Sequence, residues 1–170
     1  MIVLMAGLPG TGKSTLAREL ARRTGGAVLG KDEIRAALFA PDDIEHLTAQ
    51  DDFVMDIMLQ AALYLFQRNP ERKIFLDGRT FSRPYQIERV LNFAQGFHQR
   101  AVILECTCSE ESAHRRLDLH PDPAHPAENR TFALYQEVKA RFEPIDHPKT
   151  VISTDEPFED CVLQAMALLC

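Results

Sequence analysis

The chain lacks any apolar run long enough to cross a membrane, which requires about 20 residues. It also lacks the basic stretch and small-residue cleavage site of a secretory signal, since Met1 already begins an apolar segment. We therefore expect a cytoplasmic protein without a membrane partner. A length of 170 residues is typical of one domain, which we expect to span residues 1–170.

Cysteine and positive charge are both scarce. The four cysteines show no C-x-x-C spacing of the kind that binds zinc. Cys106 and Cys108 lie two apart at a strand end, and we expect them to be free thiols in a reducing compartment. Lys and Arg number 19 against 25 Asp and Glu, which gives a formal net charge of −6. Long nucleic acids are usually bound by basic surfaces, because neutralising phosphates dominates their affinity. The acidic balance therefore disfavours a long polynucleotide partner without excluding one.

The first part of the chain organises the rest. The apolar segment MIVLM at 1–5 is short enough for a buried strand, and residues 15–23 show helical spacing of apolar side chains. Between them, residues 7–14 fit G-x-x-x-x-G-K-[ST] at every fixed position. Glycines let such a loop wrap around phosphates with its N–H groups pointing inward, at the positive end of the next helix. These residues predict a nucleoside triphosphate site built from Gly7, Leu8, Pro9, Gly10, Thr11, Gly12, Lys13, Ser14 and Thr15.

Two side chains of this loop and one aspartate are the residues that we expect to bind Mg²⁺·ATP. Lys13 is expected to reach the β- and γ-phosphates, and the Ser14 hydroxyl to bind Mg²⁺. Asp77 closes the apolar strand at 73–77, where a carboxylate can hold Mg²⁺ directly or through water; the alternative is a carboxylate that caps the following turn. Gly78 stands where ATPases that drive motion commonly place a water-activating glutamate. We therefore expect transfer to a bound acceptor rather than hydrolysis.

Asp32 is the candidate general base. It lies where the second predicted strand gives way to a helix, and Arg35 follows three residues later on the same helical face. A hydroxyl that attacks a γ-phosphate needs a carboxylate within hydrogen-bond reach to orient it and to accept its proton. Arg35 is expected to hold an anionic part of the acceptor or to brace Asp32. The alternative is that Asp32 only caps the helix.

Other charged residues allow weaker inferences. Arg79 and Arg83 flank the loop after the third strand and can meet an anionic acceptor, although solvated surface arginines are as common. The acidic pairs at 42–43 and 51–52 are most simply a solvated face.

Short apolar strands alternate with helices along the chain. This alternation predicts a parallel sheet with helices on both faces, a three-layer α/β/α sandwich. Ligands bind at the carboxyl ends of such strands, so the glycine loop, Asp32 and Asp77 should meet at one edge. We expect strands at 1–5, 27–29, 73–77, 101–106 and 150–153, and helices at about 15–23, 32–39, 44–67, 84–95, 109–119, 131–142 and 158–169.

These motifs resemble the small P-loop kinases grouped with the phage polynucleotide 5′-kinase domain and, more distantly, zeta-toxin-type and chloramphenicol phosphotransferases. The resemblance rests on residues 7–14, on KDEIR at 31–35 and on FLDG at 75–78, and it extends to a lid-like tail at 126–144. It implies a P-loop NTPase fold with a five-stranded parallel sheet in the order 2-3-1-4-5 and a helical lid over about 107–135.

The resemblance also implies roles for particular residues. Asp32 matches the family's catalytic base, and arginines of the lid clamp the transferring phosphates in the family. In this chain that clamp would assign Arg116 to catalysis and Arg115 and Arg130 to nucleotide binding. We expect the lid to be mobile without nucleotide and to close over it.

The sequence thus predicts a kinase that uses ATP and Mg²⁺ to phosphorylate a hydroxyl of a small-molecule or nucleotide-sized acceptor. Two alternatives stay open: a polynucleotide 5′-hydroxyl kinase and, from another class, an ATP-binding regulatory switch without an acceptor. Asp32 with Arg35 favours a kinase, whereas Gly78 and the lack of a second domain disfavour a switch. Neither the acceptor nor the oligomeric state follows from the sequence.

Overall fold

The computed structural model describes residues 1–45, 47–119 and 131–169. Its five strands all pair in parallel, in the order β2-β3-β1-β4-β5, so the predicted strands and their order are confirmed. The strands are β1 (Ile2–Ala6), β2 (Ala27–Gly30), β3 (Ile74–Asp77), β4 (Ala101–Thr107) and β5 (Thr150–Ser153).

Helices connect these strands and cover both faces of the sheet. The helices of the described residues are α1 (Lys13–Thr24), α2 (Lys31–Leu38), α3 (Thr48–Arg68), α4 (Pro84–Gly96), α5 (Glu110–His114), α6 (Phe132–Ala140) and α7 (Phe158–Met166). A π-helical turn, Arg115–Leu119, continues α5. No helix within the three described ranges is long and apolar enough to cross a bilayer.

The core lies in two layers on either side of β1. Every residue of β1 is fully buried, which explains its uninterrupted apolar sequence: a central parallel strand is covered on both faces. On one face Leu4 packs in a cluster with residues of α3 and α4, including Met58 and Ile87. On the other face Val3 packs in a cluster with residues of α1 and α7, including Leu16 and Val162. The three-layer sandwich predicted from the sequence is therefore confirmed.

The start of the long helix α3 differs from the prediction, which placed it at about residue 44. A 3₁₀ turn, Pro41–Asp43, precedes the predicted start, and α3 begins only at Thr48. The cause is Gln50, whose side-chain amide donates to the carbonyl oxygen of Asp43 at 2.8 Å and accepts from the N–H of Glu45 at 3.1 Å. These bonds satisfy main-chain groups that a continuous helix would have paired internally.

Candidate active site

A cavity of about 490 Å³ opens at the edge of the sheet where β1, β2 and β3 end. Its walls come from the glycine loop after β1, from α2, from the start of α3, from the segment between β3 and α4, and from α6. This position agrees with the rule that ligands bind at the carboxyl ends of parallel strands. The predicted site residues that line the cavity are Pro9, Lys13, Ser14, Asp32 and Arg35.

The glycine loop adopts a conformation that requires glycine at two positions. Gly7 has φ +127°, and a Cβ there would lie 2.2 Å from the carbonyl oxygen of Cys106. Gly12 precedes α1 with φ +80°, in the left-handed region. The first turn of α1 reads KSTL and contains no acidic residue, so the positive end of the helix dipole is not offset by a side chain of that turn. Such a helix start favours a bound anion.

Lys13 lies within this loop. Its ammonium donates to the carbonyl oxygen of Leu8 at 2.6 Å and lies 3.5 Å from the hydroxyl of Thr11. The side chain is 9% exposed, so its charge is held in a largely desolvated position beside the loop's main chain. In that environment a positive charge interacts strongly with a bound phosphate.

The carboxylate of Asp77 fits a Mg²⁺ ion. Asp77 ends β3 and is 3% exposed, and its Oδ1 has no hydrogen-bond partner among the described residues. A buried carboxylate oxygen without a donor is unusual, and a metal ion or its water ligands would satisfy it. Within the described part of the chain, no group of three or more His, Cys, Asp or Glu side chains forms a metal cluster. Mg²⁺ is usually held by one or two carboxylates together with water and phosphate oxygens.

The cysteines of the described residues are free, as predicted for Cys106 and Cys108. Cys106, Cys108 and Cys161 form no disulfide, and Cys170 lies outside the described residues. Burial raises the pKa of the Cys106 thiol to about 12, with a further contribution from the nearby Asp77 carboxylate. Cys106 therefore packs like an apolar side chain of the core.

Asp32 does not cap its helix. The residue preceding α2 is Gly30, and no side chain among the described residues caps that end, so the capping alternative is wrong. Instead, Oδ1 of Asp32 lies 3.3 Å from the ammonium of Lys31 and 3.6 Å from the guanidinium of Arg35. The carboxylate is thus held between two cations while it lines the cavity. The position of Arg35 is compatible with the bracing of Asp32, one of the two roles predicted for it.

Asp51 and Asp52 are not the solvated face that the sequence predicts. Asp51 accepts a hydrogen bond from Lys31 at 2.8 Å and pairs with the guanidinium of Arg35. Asp52 lies 2.7 Å from the guanidinium of Arg79. Both carboxylates are thereby committed to basic residues of the cavity wall. The pair at 42–43 is exposed, as predicted.

Lys31 is a residue of the site that sequence reasoning did not single out. Burial lowers the pKa of its ammonium to about 8, although the neighbouring Asp32 carboxylate raises it. The signal was present in the sequence, because Lys31 directly precedes Asp32 at the end of a predicted strand. Arg141, which the resemblance includes only within the lid-like tail, and Tyr85, which no local pattern distinguishes from a surface residue, also line the cavity.

The predicted lid arginines lie in three different situations. Arg116 donates to the carbonyl oxygen of Gly10 at 3.1 Å and to two oxygens of Thr154 at 2.9 and 2.8 Å. It therefore contacts the glycine loop from outside the cavity lining of the described residues. Arg115 is exposed and lies 3.3 Å from the hydroxyl of Ser112. Arg130 and the proline-rich segment 120–130 lie outside the described residues, so the closing of the lid stays a prediction.

Comparisons with known proteins agree with this architecture. The sequence profile of a family described as an AAA domain matches residues 2–145. No curated protein sequence matches the chain significantly.

Several solved structures share the fold over nearly the whole chain. The APS kinase CysC of Mycobacterium tuberculosis, in complex with AMPPNP and APS, is similar with a TM-score of 0.73 and 17% identity, covering 99% of this chain and 96% of that chain. Kti12 of Chaetomium thermophilum, in complex with ADP-AlF3, gives 0.69 and 14%, with 100% of both chains covered. A gluconokinase of Sinorhizobium meliloti gives 0.65 and 18%, with 99% and 90% covered. At these identities the similarity establishes the fold alone.

Proposed function

Since the chain belongs to the AAA domain family, we propose that it is a kinase that transfers the γ-phosphoryl group of ATP to a hydroxyl of a small-molecule or nucleotide-sized acceptor. One observation carries the proposal: the glycine-loop residues Lys13 and Ser14 and the carboxylate of Asp32 line the same cavity. A phosphate-binding loop and a candidate base are thus brought together, although they come from different strand ends.

The nucleotide would be held by the loop that follows β1. The N–H groups at the start of α1 and the ammonium of Lys13 would bind its phosphates, with Lys13 exchanging its bond to Leu8 for a phosphate oxygen. When bound, Mg²⁺ would be held by Ser14 and, directly or through water, by Asp77, and would neutralise charge on the phosphate oxygens.

Asp32 would orient the acceptor and take its proton. The acceptor oxygen forms a bond to the γ-phosphorus, the bond from that phosphorus to the bridging oxygen of ADP breaks, and the hydroxyl proton passes to the Asp32 carboxylate. The products are ADP and a phosphate monoester. Lys31 and Arg35 fix the carboxylate from either side, which limits the reorganisation needed during the step.

The surroundings of Gly78 support transfer over hydrolysis. Gly78 has φ +87°, and a Cβ there would lie 3.0 Å from the Cβ of Lys31. A glutamate at this position would be strained and crowded, so the chain offers no side chain where motor ATPases place their water-activating base. This favours a kinase over an ATP-driven switch.

The size of the cavity supports a small acceptor. A volume of about 490 Å³ lies within the range of sites for small molecules, roughly 300–1,000 Å³. Neighbours of the same fold include an APS kinase and a gluconokinase, which supports the same kind of reaction here. The formal charge of −6 disfavours a long polynucleotide.

A screen for acceptor-dependent ADP release tests the proposal. Hydroxylated metabolites and 5′-hydroxyl oligonucleotides would be compared at saturating Mg²⁺·ATP, with Lys13→Ala as the background. We expect at least one small acceptor to stimulate ADP release and to be recovered as a phosphate monoester. Stimulation by oligonucleotides alone would establish the polynucleotide kinase instead. If no acceptor acts, while ATP changes hydrogen exchange outside the site, the protein is a switch.

A further inference from the structure

The cavity carries an excess of positive charge in an acidic protein. Apart from Lys13, which the nucleotide would engage, the described lining includes two carboxylates, Asp32 and Asp51. Against these two stand five cationic side chains: Lys31, Arg35, Arg79, Arg83 and Arg141.

Four of these seven charged groups neutralise one another. Lys31 and Arg35 each contact both Asp32 and Asp51, so this quartet is balanced within itself. The excess therefore comes from the other three residues, which we call the arginine wall: Arg79, Arg83 and Arg141.

Each arginine of the wall has an acidic partner that does not line the cavity. Arg79 pairs with Asp52, Arg83 with Glu143 and Arg141 with Glu137, and none of these carboxylates belongs to the described lining. The carboxylates thus anchor the guanidinium groups without occupying the cavity. A guanidinium has five N–H donors in a planar fork, so one carboxylate leaves donors for a second anion.

Arg79 has the strongest requirement for a further partner. It is 4% exposed, yet its Nε has no hydrogen-bond partner among the described residues. Its terminal nitrogen lies 3.4 Å from the hydroxyl of Tyr85, a second polar group of the cavity wall. A buried charged group with an unmet donor is costly unless a ligand completes it.

Arg83 and Arg141 complement Arg79 at the rim. Their side chains are 44% and 54% exposed, and their carboxylate partners Glu143 and Glu137 are exposed as well. Exposed ion pairs contribute little to stability, so an incoming anion can recruit both arginines at low cost. Leu134 and Val138 of α6 add an apolar surface between polar groups of the cavity.

We propose that the acceptor carries an anionic group, a phosphate, sulfate or carboxylate, in addition to its hydroxyl, and that the arginine wall binds this group. The inference rests on the proposed kinase function and specifies its substrate class. The anion would fix the acceptor at one side of the cavity so that its hydroxyl reaches Asp32. An uncharged polyol would have no contact of comparable strength with this wall.

Binding of simple anions tests the wall without knowledge of the acceptor. The protein, saturated with Mg²⁺ and a non-hydrolysable ATP analogue so that the phosphate loop is filled, would be titrated calorimetrically with inorganic phosphate and with sulfate. Ionic strength would be kept constant with chloride. We expect saturable binding of phosphate or sulfate beyond chloride, weakened at least about tenfold in the Arg83→Gln/Arg141→Gln double variant.

Three further variants make this test specific. Arg79→Lys keeps the charge opposite Asp52 but removes the planar fork, and we expect it to weaken anion binding without unfolding the protein. Arg22→Gln, on the exposed side of α1, should bind the anion as the parent does. Affinity for the ATP analogue should not change in the double variant. If that affinity falls in parallel, the wall serves the nucleotide and the inference is overturned.

Neutral and anionic acceptors of similar size would identify the preferred anion. They would also test the inference about the arginine wall separately from the proposed kinase function. Glycerol, glycerol 3-phosphate and glycerate would be compared for ADP release, as would glucose, glucose 6-phosphate and gluconate. We expect the charged members to have a kcat/KM at least about tenfold higher, and the double variant to abolish that preference. Equal use of neutral members, or no anion binding beyond chloride, overturns the inference and leaves the kinase intact. If no hydroxyl compound of any charge is phosphorylated, the proposed function itself fails.

Discussion

The guanidinium of Arg116 donates a hydrogen bond of 3.1 Å to the carbonyl oxygen of Gly10, 106 positions earlier in the chain. The same group donates to the hydroxyl and carbonyl oxygens of Thr154, directly after β5. The hydroxyl of Thr154 lies 3.0 Å from the carbonyl oxygen of Thr11. Arg116 therefore ties the phosphate-binding loop to the segment after β5, and it is not among the described residues that line the cavity.

Arg116→Ala should destabilise the protein and weaken nucleotide binding, because three charge-assisted contacts are lost. We expect a loss of about 2 kcal/mol in the free energy of unfolding and a fall in melting temperature of roughly 4–8 °C. Arg115→Ala, at the exposed neighbouring position, should change stability by less than about 0.5 kcal/mol. If Arg116→Ala instead retains stability and ATP affinity but loses kcat, then Arg116 acts on the transferred phosphate, as the resemblance implies.

Lys13→Ala should abolish most of the phosphoryl transfer. It removes the charge that faces the phosphates in a largely desolvated position, and we expect kcat to fall by about 10²–10³-fold. Arg18→Ala removes an exposed cation from the same helix and should leave kcat near the parent value. Turnover measured at saturating Mg²⁺·ATP decides the matter, and full activity in Lys13→Ala would contradict the assignment of the phosphate loop.

The sheet and the phosphate loop were predictable because their signals are local. The strand before Gly7, the motif itself and the run that ends at Asp77 each depend on adjacent residues only. The pairing of Asp51 with Lys31 and Arg35 was not predictable, since those partners lie 16 to 20 positions away on another helix. The pattern of acidic residues assigned Asp51 to a solvated face and could not show which side chains that face contacts.

Arg116 illustrates the same limit in the candidate site. A basic residue on a predicted lid helix is equally compatible with a phosphate clamp and with a structural tie. The partner that ties Arg116 to the segment after β5, Thr154, is 38 positions further along the chain and carries no motif. Only the packing of β5 beside β4 brings that residue to the phosphate loop.

Gly78→Ala should destabilise the protein and lower activity. Its φ of +87° is strained for any residue with a Cβ, and that Cβ would press against Lys31 at the start of α2. We expect a loss of about 1–3 kcal/mol in unfolding free energy. Gly96→Ala is the matched control, because a Cβ there meets no atom within 4 Å among the described residues, and it should stabilise by up to about 1 kcal/mol. Equal effects of the two substitutions in chemical denaturation would contradict the interpretation.

Lys31 should make stability depend on pH in the alkaline range. Burial lowers its pKa from 10.5 to about 8, so between those values the unfolded chain binds more protons than the folded one. The free energy of unfolding of the parent should therefore rise with pH from about 8 to 10.5 relative to Lys31→Met, by up to about 3 kcal/mol. Lys73→Met, outside the cavity lining, controls for the loss of a lysine elsewhere. If the difference in unfolding free energy between the parent and Lys31→Met does not change with pH, Lys31 is not desolvated in solution.

Asp32→Asn should separate chemistry from binding. The substitution keeps the size of the side chain but removes the charge and the basicity that accept the hydroxyl proton. We expect acceptor-dependent transfer to fall by about 10²–10⁴-fold. ATP affinity should stay near that of the parent, because the phosphates are held by the loop after β1. Loss of a helix cap cannot explain such a result, since Gly30 and not Asp32 precedes α2.

Glu33→Gln is the matched control for Asp32→Asn, because it removes the same charge from the next position of the same helical turn. Glu33 points to Arg18 on α1 and is 48% exposed, so its loss should leave transfer and ATP affinity unchanged. Thermal unfolding of both variants checks that Lys31 and Arg35, which keep Asp51 as a partner, still hold α2 in place. If folded Asp32→Asn protein retains full phosphoryl transfer, the general base is another residue. Asp77 would not be the first substitute, because its buried carboxylate is the group that fits Mg²⁺.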